Sequence, residues 1–362
     1  MALEGCGAAR RETVTAIGAS LLSILSARER GRPSIRHPGR RGNGRVDPYG
    51  EGSSESVAVI SVLRLTVAVA TGAAALVASA PVAHGAFPGS NGRIAYEHTT
   101  ESGLEEADIF TVRPNGTGRM ELTDTPHKNE FGPAWNAAGT SIAFWRTHAP
   151  FGPGSIWTMD ADGGNQRRLT TNVDGRDPAW SPSGLRIVFN AEGNLVTMRA
   201  SDGGGRRRLT STGSDFEPAW SPQGDLVVFT RASEQGDPGD LYLIDVKSRT
   251  VTQLTSSPDY DHQANWSPDG ERIVFERDFD DVNGFSIVVV DVDGSHVRRL
   301  TAKHAGFFDT GPAYSPSGTK IAFGRDRPTF FADLFVMRAD GTNEHRILRD
   351  ELFSSFPDWQ PK

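Results

Sequence analysis

Cysteine is nearly missing from this chain: Cys6 is the only one among 362 residues. Everything downstream of it forms no disulfide, holds no thiolate-bound zinc and uses no cysteine nucleophile. Helical patterning is scarce as well, since no amphipathic stretch of useful length follows residue 86. The chain has no Gly-x-Ser-x-Gly elbow and no glycine-rich phosphate loop leading into a helix, which removes the commonest hydrolase and nucleotide-binding signatures. Positive charge is in deficit, with 38 Lys and Arg against 45 Asp and Glu. The first 56 residues run against that balance: nine Arg, no Lys and six acids leave about +3, so the rest carries about −10. A body that acidic is a poor match for nucleic acid or an anionic membrane.

What the chain does have is one phrase said repeatedly. It reads PAWNAAG from Pro133, PAWSPSG from Pro178, PAWSPQG from Pro218, ANWSPDG from Ala264 and PAYSPSG from Pro312, with a truncated PDWQP from Pro357. The aromatic anchors Trp135, Trp180, Trp220, Trp266, Tyr314 and Trp359 stand 40 to 48 residues apart, a spacing expected of propeller blades. Each anchor is followed by a turn and an apolar run ending in an aromatic, as in Ile142-Ala143-Phe144 or Ile273-Val274-Phe275. A variable loop, a second β-rich run, a polar Asp-Gly or Asn-Gly turn and a closing Leu-Thr complete the unit.

Such runs of β-branched and aromatic residues suit short antiparallel strands, and Ser-Pro-x-Gly suits the turn between the first two. One four-stranded unit cannot cover both its faces, so the units must pack on each other around an axis. Residues 92–123 supply three strands of a blade, and Pro357-Asp358-Trp359 supplies an innermost strand with nothing after it. The expected fold is therefore all-β, a six-bladed β-propeller of four-stranded antiparallel blades closed by strands from both termini. The anchor aromatics are expected between adjacent blades.

The pattern P-x-W-S-P-x-G, I-A-F, D-x-D-G and L-T resembles the WD40-like (PD40) propeller repeat of the TolB family, and covers essentially all of residues 86–362. Similar repeats occur in propellers attached to prolyl oligopeptidase-type enzymes. The resemblance implies docking of a peptide or partner protein at the channel mouth. Two departures from the family pattern stand out. No α/β domain of the TolB kind fits between residues 86 and 92, and a C-terminal peptidase domain is not expected beyond the last repeat.

Before the repeats, Arg64 leads into the apolar run Leu65 to Val82 and then the small residues around Ala83-His84-Gly85. A basic flank, an apolar stretch and a small-residue exit read as a signal peptide over 57–85, with a retained membrane anchor as the alternative. Residues 1–56 read as a disordered Arg/Gly-rich extension or a mis-assigned translation start. The expected location is extracytoplasmic in a bacterium: periplasmic, secreted or cell-surface. Membrane contact is expected only through an uncleaved N-terminal segment.

Candidate chemistry lies in two columns of the repeat. Five residues before the anchor stand Glu130, Asp215, Asp261 and Asp309, and in the other two blades Gly175 and Ser354. Two residues after the second-strand aromatic stand Arg146, Arg231, Arg277 and Arg325, and in the other two blades Ala191 and His98. The blades with the acid are those with the Arg, and antiparallel pairing puts both groups on one rim. The pairs read either as structural braces or as a charged rim that contacts a ligand, since an Arg–carboxylate fork keeps spare donors.

His262 joins the rim candidates, and His98, His127, His148 and His304 fall near the same strand ends. Their irregular placement argues for scattered histidines over a metal site, and no cofactor or metal is expected. The Asp-x-Asp-Gly segments at Asp160 and Asp291 lack the acidic twelfth position of a calcium loop and read as hairpin turns. Phe151, Phe279, Phe330 and Phe331 sit in or beside the long loops, as apolar contacts for a partner or for a neighbouring blade. No catalytic residue is assigned. The reading is a monomeric, non-catalytic module binding a protein, peptide or envelope component. The alternative is a metal-assisted lyase or hydrolase of extracellular carbohydrate.

Overall fold

The repeated units fold as the pattern requires. The computed structural model describes residues 86–99, 107–147, 152–232, 239–279, 284–302, 307–326, 332–349 and 353–362. Residues 1–85, with Cys6 and the signal-like run, lie outside the described residues, as do His148, His304, Phe151, Phe330 and Phe331. Six four-stranded antiparallel sheets are present, each running from an innermost to an outermost strand. The innermost strands of blades 2 to 6 are Asn129–Trp135, Gly175–Trp180, Asp215–Trp220, Tyr260–Trp266 and Phe308–Tyr314. Blade 1 combines Ser354–Pro361 on the inside with Asn91–Thr99, Ala107–Val112 and Met120–Glu121. Each blade packs on the next, and blade 6 packs on Ser354–Pro361, so the ring is closed by strands from both ends of the propeller.

The repeated letters have identifiable physical jobs. Ser181, Ser221, Ser267 and Ser315, one residue past the anchor, each accept a hydrogen bond from the backbone N–H five residues on, at 2.9–3.1 Å. Asn136 does the same with its amide oxygen at 3.2 Å. The Thr of each Leu-Thr presents its hydroxyl to an N–H of the third strand: Thr123 to Ile109, Thr170 to Ile156, Thr210 to Leu195, Thr255 to Leu241 and Thr301 to Ile287. That contact satisfies a donor which the two- or three-residue outer strand is too short to reach.

The core lies between blades. Phe144, Phe189, Phe229, Phe275 and Phe323, each the fourth residue of a second strand, are fully buried. The anchors pack between neighbours as expected. The indole N–H groups of Trp180, Trp266 and Trp359 donate to the carbonyls of Ala134, Ala219 and Ala313 on the preceding blade, at 3.0–3.1 Å. The Asp-Gly turns serve packing as well. Gly163 and Gly203 have positive φ, and a Cβ on either would stand 2.5 or 2.0 Å from the carbonyl oxygen of Leu122 or Leu169 on the blade before. Only glycine permits that approach.

Candidate functional site

The two columns meet. Glu130 pairs with Arg146, Asp215 with Arg231, Asp261 with Arg277 and Asp309 with Arg325 as direct register partners between first and second strands. Gly175 faces Ala191 in blade 3, and Ser354 faces His98 in blade 1, where the Ser354 hydroxyl and His98 Nδ1 lie 3.0 Å apart. Each of the four acid–Arg pairs closes as an ion pair. Asp215, Asp261 and Asp309 each take Nε and Nη2 of their Arg in a two-point fork, at 2.5–3.0 Å, and Glu130 takes Nε of Arg146.

The acids are buried: Glu130, Asp215 and Asp261 are 0% exposed and Asp309 2%. Burial raises the pKa of Glu130, Asp261 and Asp309, and the facing guanidinium opposes that rise in each case. Whatever reaches this layer meets the arginines first. Each guanidinium lies over the second-strand aromatic, at 5.2–5.4 Å from the rings of Phe144, Phe229, Phe275 and Phe323. A second ring supports it, namely Trp157, Tyr242, Phe279 or Phe335, at 4.4–5.9 Å.

The four pairs then diverge. In blade 2, Nη2 of Arg146 also donates to Thr125 and to Gln166. In blade 6, Arg325 makes a second fork onto Glu344. Gln166 and Glu344 hold the same place, two residues before the outer-strand Arg168 and Arg346 that face Trp157 and Phe335. In blades 4 and 5 that place holds Val251 and Val297. Among the described residues, Arg231 and Arg277 touch no acceptor beyond their own aspartates, and their side chains are 22% and 14% exposed.

His262 sits behind the blade-5 fork and is 3% exposed. It stacks on Tyr260 at 4.6 Å between ring centroids, meets the Phe285 ring edge-on, and holds Nε2 3.4 Å from Glu276 Oε2. Burial lowers its pKa to about 3, so the ring is neutral at ordinary pH. Of the other histidines, His98 is buried in blade 1 against Phe110 and Ser354. Among the described residues no group of three or more His, Cys, Asp or Glu is placed to hold a metal ion. Asp162 and Asp293 accept backbone N–H groups two residues on within their own turns.

One set of polar residues escaped the sequence reading. The third residue before each anchor has positive φ, namely Gly132, Asp177, Glu217, Gln263, Gly311 and Phe356, and the first-strand register slips there. Backbone N–H groups at this bulge donate to buried carboxylates of the preceding blade. Gly132 donates to Glu97 at 2.6 Å, Gln263 to Glu217 at 2.7 Å, Gly311 to Glu276 and Glu217 to Asp177. Four of the six blade junctions are thereby stitched by an acid. Burial pushes Glu217 up to about 7, and Glu97, Asp177 and Glu276 well above the ordinary carboxylate range. The signal was an acid just before the first-strand proline, or just after the second-strand aromatic.

Comparison with known proteins agrees with this architecture. Residues 65–238 match the family model described as the TolB beta propeller domain (PD40). A 74-residue stretch is 40% identical to the Tol-Pal system protein TolB 1 of Novosphingobium aromaticivorans, and another comparison gives 35% over 74 residues with TolB of Zymomonas mobilis. Each match takes in 20% of this chain and only 16% of the relative. Among solved structures, TolB from Acinetobacter baumannii superposes with a TM-score of 0.64 at 22% identity, over 77% of this chain and 68% of that one. The putative TolB from Agrobacterium tumefaciens gives 0.57 at 21% identity, over 75% and 92%. At such identities the structural likeness establishes the fold.

Proposed function

We propose that this chain, which carries a TolB-type (PD40) β-propeller domain, is a non-catalytic docking module of the bacterial envelope. It would hold a protein or peptide at the rim where the second strands end. The observation that carries this reading is the pair of open forks on adjacent blades. Arg231 and Arg277 each keep an unused guanidinium edge, held rigid by a buried aspartate and backed by an aromatic ring. That is the arrangement a carboxylate-bearing segment needs: fixed donors that lose little entropy on binding, and apolar surface beside them. Tyr242 supplies the apolar part beside Arg231, while the Phe279 ring beside Arg277 also carries the Arg299 guanidinium, 3.4 Å from its centroid.

An extracytoplasmic location fits the signal-like run and the Tol-Pal names of the sequence relatives. The proposal stops at the module, because the shared stretch is about a sixth of those relatives' length. The test is capture from envelope extract with the full chain, beside an Arg231→Ala/Arg277→Ala variant shown to be folded. Hydrogen exchange would then map the footprint of whatever is captured. A partner lost by the variant, with protection at blades 4 and 5, is the expected result. Capture undiminished by the variant, or protection only at the opposite ends of the strands, would sink the reading.

A further inference from the structure

At the other end of the strands, where first meets second and third meets fourth, blade 3 differs from its neighbours. The difference is one of charge, for its two turns are locked together as those of blades 2, 4, 5 and 6 are: the Ala200 N–H donates to the Leu185 carbonyl at 3.0 Å, and Nη2 of Arg186 also donates to the Gly205 carbonyl at 3.0 Å. This brings Leu185, Arg186, Arg199 and Arg206 onto one end of the blade, with Arg207 and Arg208 in the adjoining outer strand. Arg167 of blade 2 reaches the same turn, donating to the carbonyls of Ala200 and Ser201. Against six arginines stands, among the described residues of these turns, a single carboxylate, Asp202, forked onto Arg199.

Leu185 is 71% exposed, the most exposed large apolar side chain among the described residues. Arg206, Arg207 and Arg208 are all exposed, and Arg207 and Arg208 have no side-chain partner among the described residues. The corresponding turns of blades 2, 4 and 5 carry Asp160 and Asp162, Asp225 and Asp245, and Glu271, Asp291 and Asp293. The overall acidity that argues against an anionic surface is thus reversed most strongly at blade 3, and to a smaller extent at the turns of blade 1, which carry Arg93, Arg113 and Arg119.

We infer that this end of blade 3 is a docking face for an anionic lipid surface, with Leu185 entering the headgroup region and the arginines pairing with lipid phosphates. A protruding apolar side chain ringed by guanidinium groups is the chemistry of interfacial attachment, where apolar insertion and charge attraction add. An acidic protein would satisfy the arginines but would need an apolar pocket matched to Leu185, whereas a lipid surface takes up a protruding apolar side chain without one. With this end on the lipid, the open forks at the opposite strand ends face away from it, free for the partner.

The test uses the full chain with Cys6→Ser and Leu185→Cys, carrying an environment-sensitive dye at 185. The control carries the dye through Met120→Cys on blade 1, also an exposed position. Because the readout is local, any lipid affinity of the N-terminal segment does not enter it. Vesicles containing phosphatidylglycerol are expected to shift the dye at 185 to the blue, and pure phosphatidylcholine vesicles are not. The shift should require at least tenfold more lipid in Arg206→Glu/Arg207→Glu/Arg208→Glu, and should fade as salt is raised in the unaltered patch. No shift at 185, or an equal shift at 120, overturns the inference. A shift with poly-glutamate and none with lipid overturns it in favour of an acidic protein partner.

Discussion

Blades 2 and 6 and blades 4 and 5 carry the same acid–arginine pair on the same aromatic shelf, yet one set is sealed and the other open. The difference lies at one outer-strand position, Gln166 and Glu344 in one pair and Val251 and Val297 in the other, with Thr125 a further acceptor in blade 2. A polar side chain there consumes the remaining guanidinium edge, whereas valine has nothing to offer it. One substitution column thus separates an ion pair that braces a blade from one that keeps donors available. Blade 1 shows the shelf persisting without a fork: Arg119, from that same outer-strand position, lies 4.5 Å over the Phe110 ring.

The sharpest way to break this comparison is to remove a sealed arginine. Arg146→Ala leaves Glu130 buried without its cation, and the expected loss is about 3–5 kcal/mol in chemical denaturation. Next in size is a pH effect on the junction that spaces the open forks, where Glu217 of blade 4 accepts the Gln263 N–H of blade 5. Its pKa rises from 4.5 to about 7 on folding, so the folded state holds the proton more tightly. This contribution is fully present below 4.5, is lost as pH climbs through 7, and is on the order of 3 kcal/mol. Glu217→Gln should flatten that part of the stability profile; an unchanged slope would show that Glu217 is not its source.

Arg231→Ala should cost less than Arg146→Ala, roughly 1–3 kcal/mol, because water reaches Asp215 once the half-open fork is gone. Equal costs for the two substitutions would erase the distinction between sealed and open forks. The smallest effect is the most diagnostic. Val251→Gln and Val297→Glu should seal the open forks, moving stability by no more than about 0.5 kcal/mol while weakening partner capture. Stronger capture by these variants would mean that the spare edges are not what the partner uses.

The fold and the acid–arginine pairing were legible because the repeat supplies six aligned comparisons inside one chain. Glu130 with Arg146 and Gly175 with Ala191 could be matched without any other sequence. The stitches were not legible in that way. Glu97 and Glu276 follow a second-strand aromatic, whereas Asp177 and Glu217 precede a first-strand proline, so no single column displays the set. They converge only because the bulge turns the backbone N–H of one blade toward its neighbour. Sealing by Gln166 and Glu344 was hidden for a related reason. Each arginine reaches it across two strands, a distance that the period of the repeat does not encode. The blade-3 arginines were averaged away in a net charge of −7.

Blade 1 has a consequence in time as well as in space. Its second strand is synthesised first, and His98 meets Ser354 only after 256 further residues. At about 5–20 residues per second that is a wait on the order of tens of seconds. Through the whole interval the strand Asn91–Thr99 has an unpaired inner edge, the kind of edge other chains add to. A polypeptide broken off short of Ser354 would never lose it, so damaged or unfinished copies stay recognisable to whatever clears unfolded chains. The last strand to be made certifies that all the others are there.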